Sequence, residues 1–229
     1  MSLKNSFPCI LNLLFSLDQG LVLAAGPNIG QDAQDPRQAL DLRDDGAKVT
    51  VLVHNYAHLP AQILIEAQDR ASLIFRRAGV EIEWVDCPLN DEDPSLYPKC
   101  PATLDVTQLF LRIFPSTATK VDIGGEAFVA ARIANIFWTR VEEQAQRQNA
   151  SAPRFLAHTV AHELGHLLLG SNSHSPVGIM IARWDAPTVT RIYQDGLYFN
   201  RQQSELIRSE INKRKDQLRA VESALLTRQ

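Results

Sequence analysis

Residues 158–180 read HTVAHELGHLLLGSNSHSPVGIM and hold four of the chain's six histidines. Within them His162-Glu163-Leu164-Gly165-His166 forms an H-E-x-x-H. On a helix, positions four apart share a face, so the two imidazoles can grip one metal ion at about 2.0–2.1 Å each. Glu163 follows the first histidine and is rotated off their common axis. It can reach a water at the metal without occupying the metal, which is where a zinc hydrolase places its general base. Phe155, Leu156, Val160, Leu164, Leu167, Leu168 and Leu169 make this stretch apolar nearly all round, so the helix is expected to be buried. Two histidines and a glutamate inside a protein need partners, and a metal ion supplies one.

Catalytic zinc takes three protein ligands and keeps one position open. Gly170 is expected to stop the helix in a left-handed turn. The chain can then return His174, the one histidine downstream of the helix, to the metal. Some H-E-x-x-H peptidases use a carboxylate instead, which makes Asp185, Asp195, Glu205 and Glu210 alternative third ligands. His158 lies one turn ahead of His162, and a fourth imidazole on the metal would close the site. It is therefore read as a supporting or simply packed residue. Met180 ends the turn-rich Ser175-Pro176-Val177-Gly178-Ile179-Met180, where it is either a core gap-filler or part of the site's floor. Tyr193 and Tyr198, further on, are candidates for an additional group in the cleft.

On these residues the stretch resembles the metzincin clan of zinc peptidases, whose pattern is H-E-x-x-H-x-x-G-x-x-H followed by a methionine-containing turn. The glycine here stands one position later and the third histidine two positions later; at the clan's spacing this chain has Leu169 and Asn172. The resemblance implies Zn2+ held by His162, His166 and His174, with Glu163 as the catalytic base. Gly170 becomes the turn glycine and Met180 the Met-turn residue. The implied activity is that of a zinc metalloendopeptidase acting on peptide or protein substrates. The implied fold is α+β, a metzincin-like zincin domain: a twisted, mostly parallel sheet, a backing helix, an active-site helix, an irregular lower subdomain and a C-terminal helix. An edge strand around Phe128 would then pair with extended substrate. A reading of another class is a zinc-stabilised interaction protein without turnover, but such a site has no need of Glu163.

The elements that must position these residues follow from periodicity. Lys48 to Asn55 alternates valines and reads as a strand. Pro60 is expected to open a helix to Ala78, with Ile63, Ile65, Ala67, Leu73, Ile74 and Phe75 as its apolar side and Gly79 as its stop. Val80 to Val85, Leu109 to Ile113, Glu126 to Ala131 and Ile133 to Thr139 read as further strands, and Val141 to Gln148 as a helix. Ser151 is expected to cap the motif helix, with Pro153 in its first turn. From Asn200 to Leu226 runs a charged helix with an Asn200–Gln203 capping box and an apolar stripe of Leu206, Ile207, Ile211 and Leu218.

Composition bounds the rest. The 229 residues are 45% hydrophobic and 21% charged, which suits one globular domain with terminal extensions, expected to be monomeric. A net charge of −3 offers no electrostatic basis for binding nucleic acid or an anionic membrane. Lys4, the apolar run Phe7–Leu17 and Ala24-Ala25-Gly26 have the layout of a secretory leader, with an N-terminal core segment as the bland alternative. The expected organisation is a leader over 1–25, a flexible lead-in or short pro-segment over 26–47 and a metallopeptidase domain over 48–229. Export to a secreted or periplasmic location would remove Cys9 and leave Cys87 and Cys100. Those two either form one disulfide across a Pro- and Asp-rich loop or stay as free thiols.

Overall fold

The computed structural model describes residues 46–116, 124–194 and 196–227. The expected leader, Cys9, nearly all of the lead-in and Asp195 lie outside the described residues. The elements are β1 (Ala47–His54), α1 (Ala61–Arg77), β2 (Val80–Asp86), β3 (Gln108–Phe114), β4 (Gly125–Phe128), β5 (Ile133–Phe137), α2 (Trp138–Arg147), α3 (Ala152–Leu169), α4 (Ala186–Tyr193) and α5 (Arg201–Leu226). The strands form one sheet in the order β2-β1-β3-β5-β4. All neighbours pair parallel except β4, which runs antiparallel to β5. The fold is thus mixed α/β with a mostly parallel sheet. No helix among the described residues is long and apolar enough to cross a membrane.

Alternation along the strands sorts the sheet into two faces. Val49, Val51 and Val53 of β1, Leu109, Leu111 and Ile113 of β3, and Ala134 and Ile136 of β5 join the helices in one core. α1 contributes Ala67, Ala71, Ile74 and Phe75; α3 contributes Phe155, Leu156 and Leu164. The opposite face is covered differently. Leu52, Val85 and Phe110 pack beneath the loop that leaves β2, and a Cys87–Cys100 disulfide ties that loop to itself.

Several local expectations need correction. Ile65 and Leu73 are half exposed, because α1 turns Ala67, Ala71, Ile74 and Phe75 to the core instead. The strand expected over Glu126–Ala131 stops at Phe128; Val129–Ala131 is a 3-10 turn that ends on Arg132 in the left-handed region (φ 59°) and reverses the chain into β5. β5 in turn yields to α2 at Trp138, before the expected Thr139. Ser151 occupies the N-cap position of α3 with Pro153 behind it, yet its side chain makes no capping bond.

The last helix closes the core. Its capping box is formed as read, with Asn200 Oδ1 accepting from Gln203 N at 2.9 Å and Gln203 Oε1 accepting from Asn200 N at 3.0 Å. Its buried stripe is Ile207, Ile211 and Arg214; Leu206 lies about 100° round the helix from Ile207 and faces solvent. Arg214 Nη2 donates to the Leu167 carbonyl at 2.8 Å. A guanidinium there meets the negative end of α3. Arg208 Nη1 donates to Ala78 O at 2.6 Å, where Gly79 (φ 76°) ends α1.

Candidate metal centre

Every residue of α3 from Phe155 to Leu168 is buried, as a helix that is apolar all round requires. The helix ends at Gly170, whose N–H bonds to His166 O at 2.9 Å. Its backbone is not left-handed helical as expected. It lies at φ 98°, ψ 165°, an extended conformation essentially confined to glycine. That geometry throws the chain back along the helix end. Ser173 Oγ donates to Gly170 O at 2.7 Å and accepts from His166 Nδ1–H at 2.9 Å.

The return brings His174 to the motif. His162 Nε2 and His166 Nε2 lie 3.1 Å apart, and His166 Nε2 and His174 Nε2 lie 3.2 Å apart. Two ligands on a tetrahedral zinc at about 2.0–2.1 Å would be separated by roughly 3.3 Å, so the spacing fits. Among the described residues, these three histidines are the group able to hold a metal ion. The helix histidines are buried and His174 is exposed, so the site has a dry floor and an open side.

The hydrogen bonds fix which nitrogens face inward. His162 Nδ1–H donates to the Ile179 carbonyl at 2.8 Å, and His166 Nδ1–H is taken up by Ser173. Each neutral imidazole carries one N–H, so both Nε2 atoms are left as bare lone pairs. Two buried lone pairs facing each other are mutually unfavourable, and a cation between them removes the conflict. Burial pushes His162 down to about 4, against the donation to Ile179, with the neighbouring His166 and His174 lowering it further. Burial also lowers His166. His162 is therefore neutral and ready for Zn2+ across ordinary pH.

Around this centre the fold leaves little room. A Cβ at Gly125 would fall 2.7 Å from Glu163 Cγ, so β4 runs directly past the glutamate. Burial, with the charge of Glu126 adding to it, pushes the Glu163 carboxyl up to about 8. Met180 is fully buried, and a Cβ at Gly165 would lie 2.7 Å from its Sδ. The turn before it closes with Ser175 N donating to Met180 O at 2.8 Å, and Ile179 N donates to Tyr198 O at 2.9 Å. Trp184 presents a T-shaped contact to His162 at 5.8 Å between centroids and another to His158 at 6.5 Å.

The other candidates are engaged elsewhere. Asp185 caps α4 through Thr188, Glu205 pairs with Arg201, and Glu210 pairs with Arg214. His158 Nδ1–H donates to Arg154 O at 2.9 Å and packs on Trp184, so it is a packed residue outside the triad. The Tyr193 hydroxyl donates to Asn149 O at 2.6 Å, and the Tyr198 ring lies under the Arg77 guanidinium at 4.0 Å. Gly125, Ser173 and Trp184 escaped the sequence reading. No spacing marks them, because each meets the motif only through the folded chain.

No protein-family model matches the chain, and no curated protein matches it. Among solved structures, it is similar to a zinc-dependent peptidase from Methanocorpusculum labreanum at TM-score 0.48 and 15% identity, covering 69% of this chain and 99% of that one. It is similar to the archaemetzincin of Methanopyrus kandleri at TM-score 0.46 and 16% identity, covering 73% and 98%. The archaemetzincin of Archaeoglobus fulgidus, complexed with malonate, gives TM-score 0.39 and 16% identity, covering 69% and 99%. The chemistry of the present site rests on its own geometry.

Proposed function

We propose that this chain is a zinc-dependent metalloendopeptidase of metzincin type, in which His162, His166 and His174 hold Zn2+. The observation that carries the reading is the convergence of three imidazoles, with His162 Nε2 and His174 Nε2 at 3.1 and 3.2 Å from His166 Nε2 and two of the rings locked by Nδ1–H donation to protein acceptors. Bound there, zinc supplies Lewis acidity toward a peptide carbonyl and makes water nucleophilic near neutral pH. Glu163 takes the proton from the attacking water and hands it to the leaving amine. The raised affinity of its carboxyl for a proton suits both steps. Gly125 keeps the edge strand close enough to present an extended substrate alongside Glu163 by main-chain pairing. Met180 serves as the Met-turn residue, holding the floor from which Ile179 orients His162. The disulfide suits an oxidising compartment, which supports a leader over 1–25 and a secreted or periplasmic domain from residue 48 onward.

Metal analysis and peptide cleavage test this together. Wild type is expected to hold one zinc and to cut casein or a peptide mixture in a chelator-sensitive way. Glu163→Gln should keep the zinc and lose about 10²–10⁴-fold in turnover. If both proteins carry stoichiometric zinc and neither cuts any peptide, the site is a non-catalytic one. If His174→Ala keeps full zinc content, a different third ligand must be assigned.

A further inference from the structure

β4 ends the sheet order and pairs with β5 along one side; among the described residues no strand lies on its other side. The strand runs past Glu163 at Gly125, so a chain added to that outer side passes the general base. The register of β4 on β5 sorts its side chains. Gly125 pairs with Ile136 and Ala127 with Ala134, both fully buried partners on the helical face. Glu126 pairs with Asn135 and Phe128 with Ile133, so these two share the opposite face. Asn135 Nδ2 donates to Glu126 Oε1 at 3.3 Å and fixes where the carboxylate sits. Phe128 is 48% exposed.

A strand added antiparallel to β4 continues the same pleat. Its residue opposite Glu126 turns its side chain to the Glu126 face. The residue opposite Phe128 lies two positions nearer the added chain's N-terminus and turns the same way. Directly opposed side chains on one face are the unit of sheet recognition: opposite charges attract, like charges repel, and apolar side chains pack on aromatic ones. Beyond the residue opposite Glu126, the added chain runs on past Gly125, where Glu163 waits.

On the peptidase reading above, we infer that Glu126 and Phe128 set a substrate preference of the form apolar–x–basic, with the bond cut just after the lysine or arginine. Glu126 opposes the cationic side chain, and Phe128 opposes the apolar one. Because the recognised group is a cation, its other source is the free N-terminal amine of a short peptide, and the test separates the two.

Fluorogenic peptides carrying Leu-Ala-Arg or Leu-Ala-Glu at these positions, each with free and acetylated N-termini, would be given to the zinc-loaded full chain. Wild type should favour the arginine peptide by about five- to tenfold in kcat/KM, whether acetylated or not. Glu126→Gln, which keeps the size and the Asn135 contact, should bring that ratio near one; Glu126→Lys should invert it. A ratio that does not move in either variant overturns the inference, and so does a preference that disappears on acetylation, which would assign the cation to the N-terminus. Fluorescence polarisation of the same peptides on Glu163→Gln reads recognition apart from turnover. Arginine-selective binding to a chain whose wild type cuts nothing would keep this edge as a recognition strand and sink the peptidase reading instead.

Discussion

Glu163 holds its carboxyl where the neutral form is favoured, and that has a sign in pH. Its folded pKa is raised to about 8 from 4.5. In the metal-free chain the unfolded state therefore ionises Glu163 first, and stability falls as pH climbs from 4.5 through 8. His162 acts oppositely. Its folded pKa is depressed to about 4 from 6.5, so its contribution is present above 6.5 and is lost as pH falls through 4. Chelated Glu163→Gln should thus be more stable than chelated wild type at pH 8, by about 2–4 kcal/mol, with the gap closing below pH 4.5. Urea melts of both proteins at pH 4.5, 6.5 and 8 decide it; a gap that does not vary with pH would contradict the buried-carboxyl account. Ser173 makes a second case. Ser173→Ala removes the acceptor that turns His166 and should weaken zinc binding by about 10–100-fold with little change in the fold, measured by competition with a chromogenic chelator. His162, Glu163 and His166 were legible because helical spacing alone puts them together. Ser173 and Trp184 were not, because their parts depend on how the loop after Gly170 returns.

At the scale of elements, the segment from Ser175 to Met180 is as much a part of the site as the helix. Gly178 sits at φ 80°, and a Cβ there would meet the Tyr198 carbonyl oxygen at 2.6 Å. Gly178→Ala must therefore strain the backbone and push Ile179 away, and the Ile179 carbonyl is what orients His162. A loss of about 1–3 kcal/mol is expected together with weaker zinc binding. A thermal melt and a zinc titration on the same variant test both halves; a less stable variant with unchanged affinity would show that Ile179 does not matter to the metal. Most helices and strands were readable, α1 and α5 from their apolar stripes and α3 from being apolar nearly all round, whereas α4 was not read from the sequence. Burial choices within them were less so. Ile65 and Leu206 are apolar and face solvent, and only packing against neighbouring elements decides which side of a helix is covered. The short length of β4 was likewise hidden, because Val129-Ala130-Ala131 has nothing in its composition to forbid a strand; the reversal at Arg132 ends it.

Taken whole, the molecule separates what holds the sheet from what holds the metal. The Cys87–Cys100 bond, whose partners lie 13 positions apart, is on the face away from the helical core. Replacing both cysteines by serine should cost about 2–4 kcal/mol while leaving zinc stoichiometry unchanged. Denaturant melts and metal content of the double variant test this; loss of zinc would mean the two faces are coupled. The histidines proposed to hold the metal, by contrast, all fall between residues 162 and 174. So short a span does not need the sheet in order to meet an ion, and a denatured chain keeps some hold on zinc through the same imidazoles. Part of the free energy of metal capture is therefore spent equally on both sides of the folding equilibrium and drops out of it. Saturating zinc should raise the melting temperature by less than native-state affinity alone would give, and a peptide of residues 158–180 should itself retain measurable affinity.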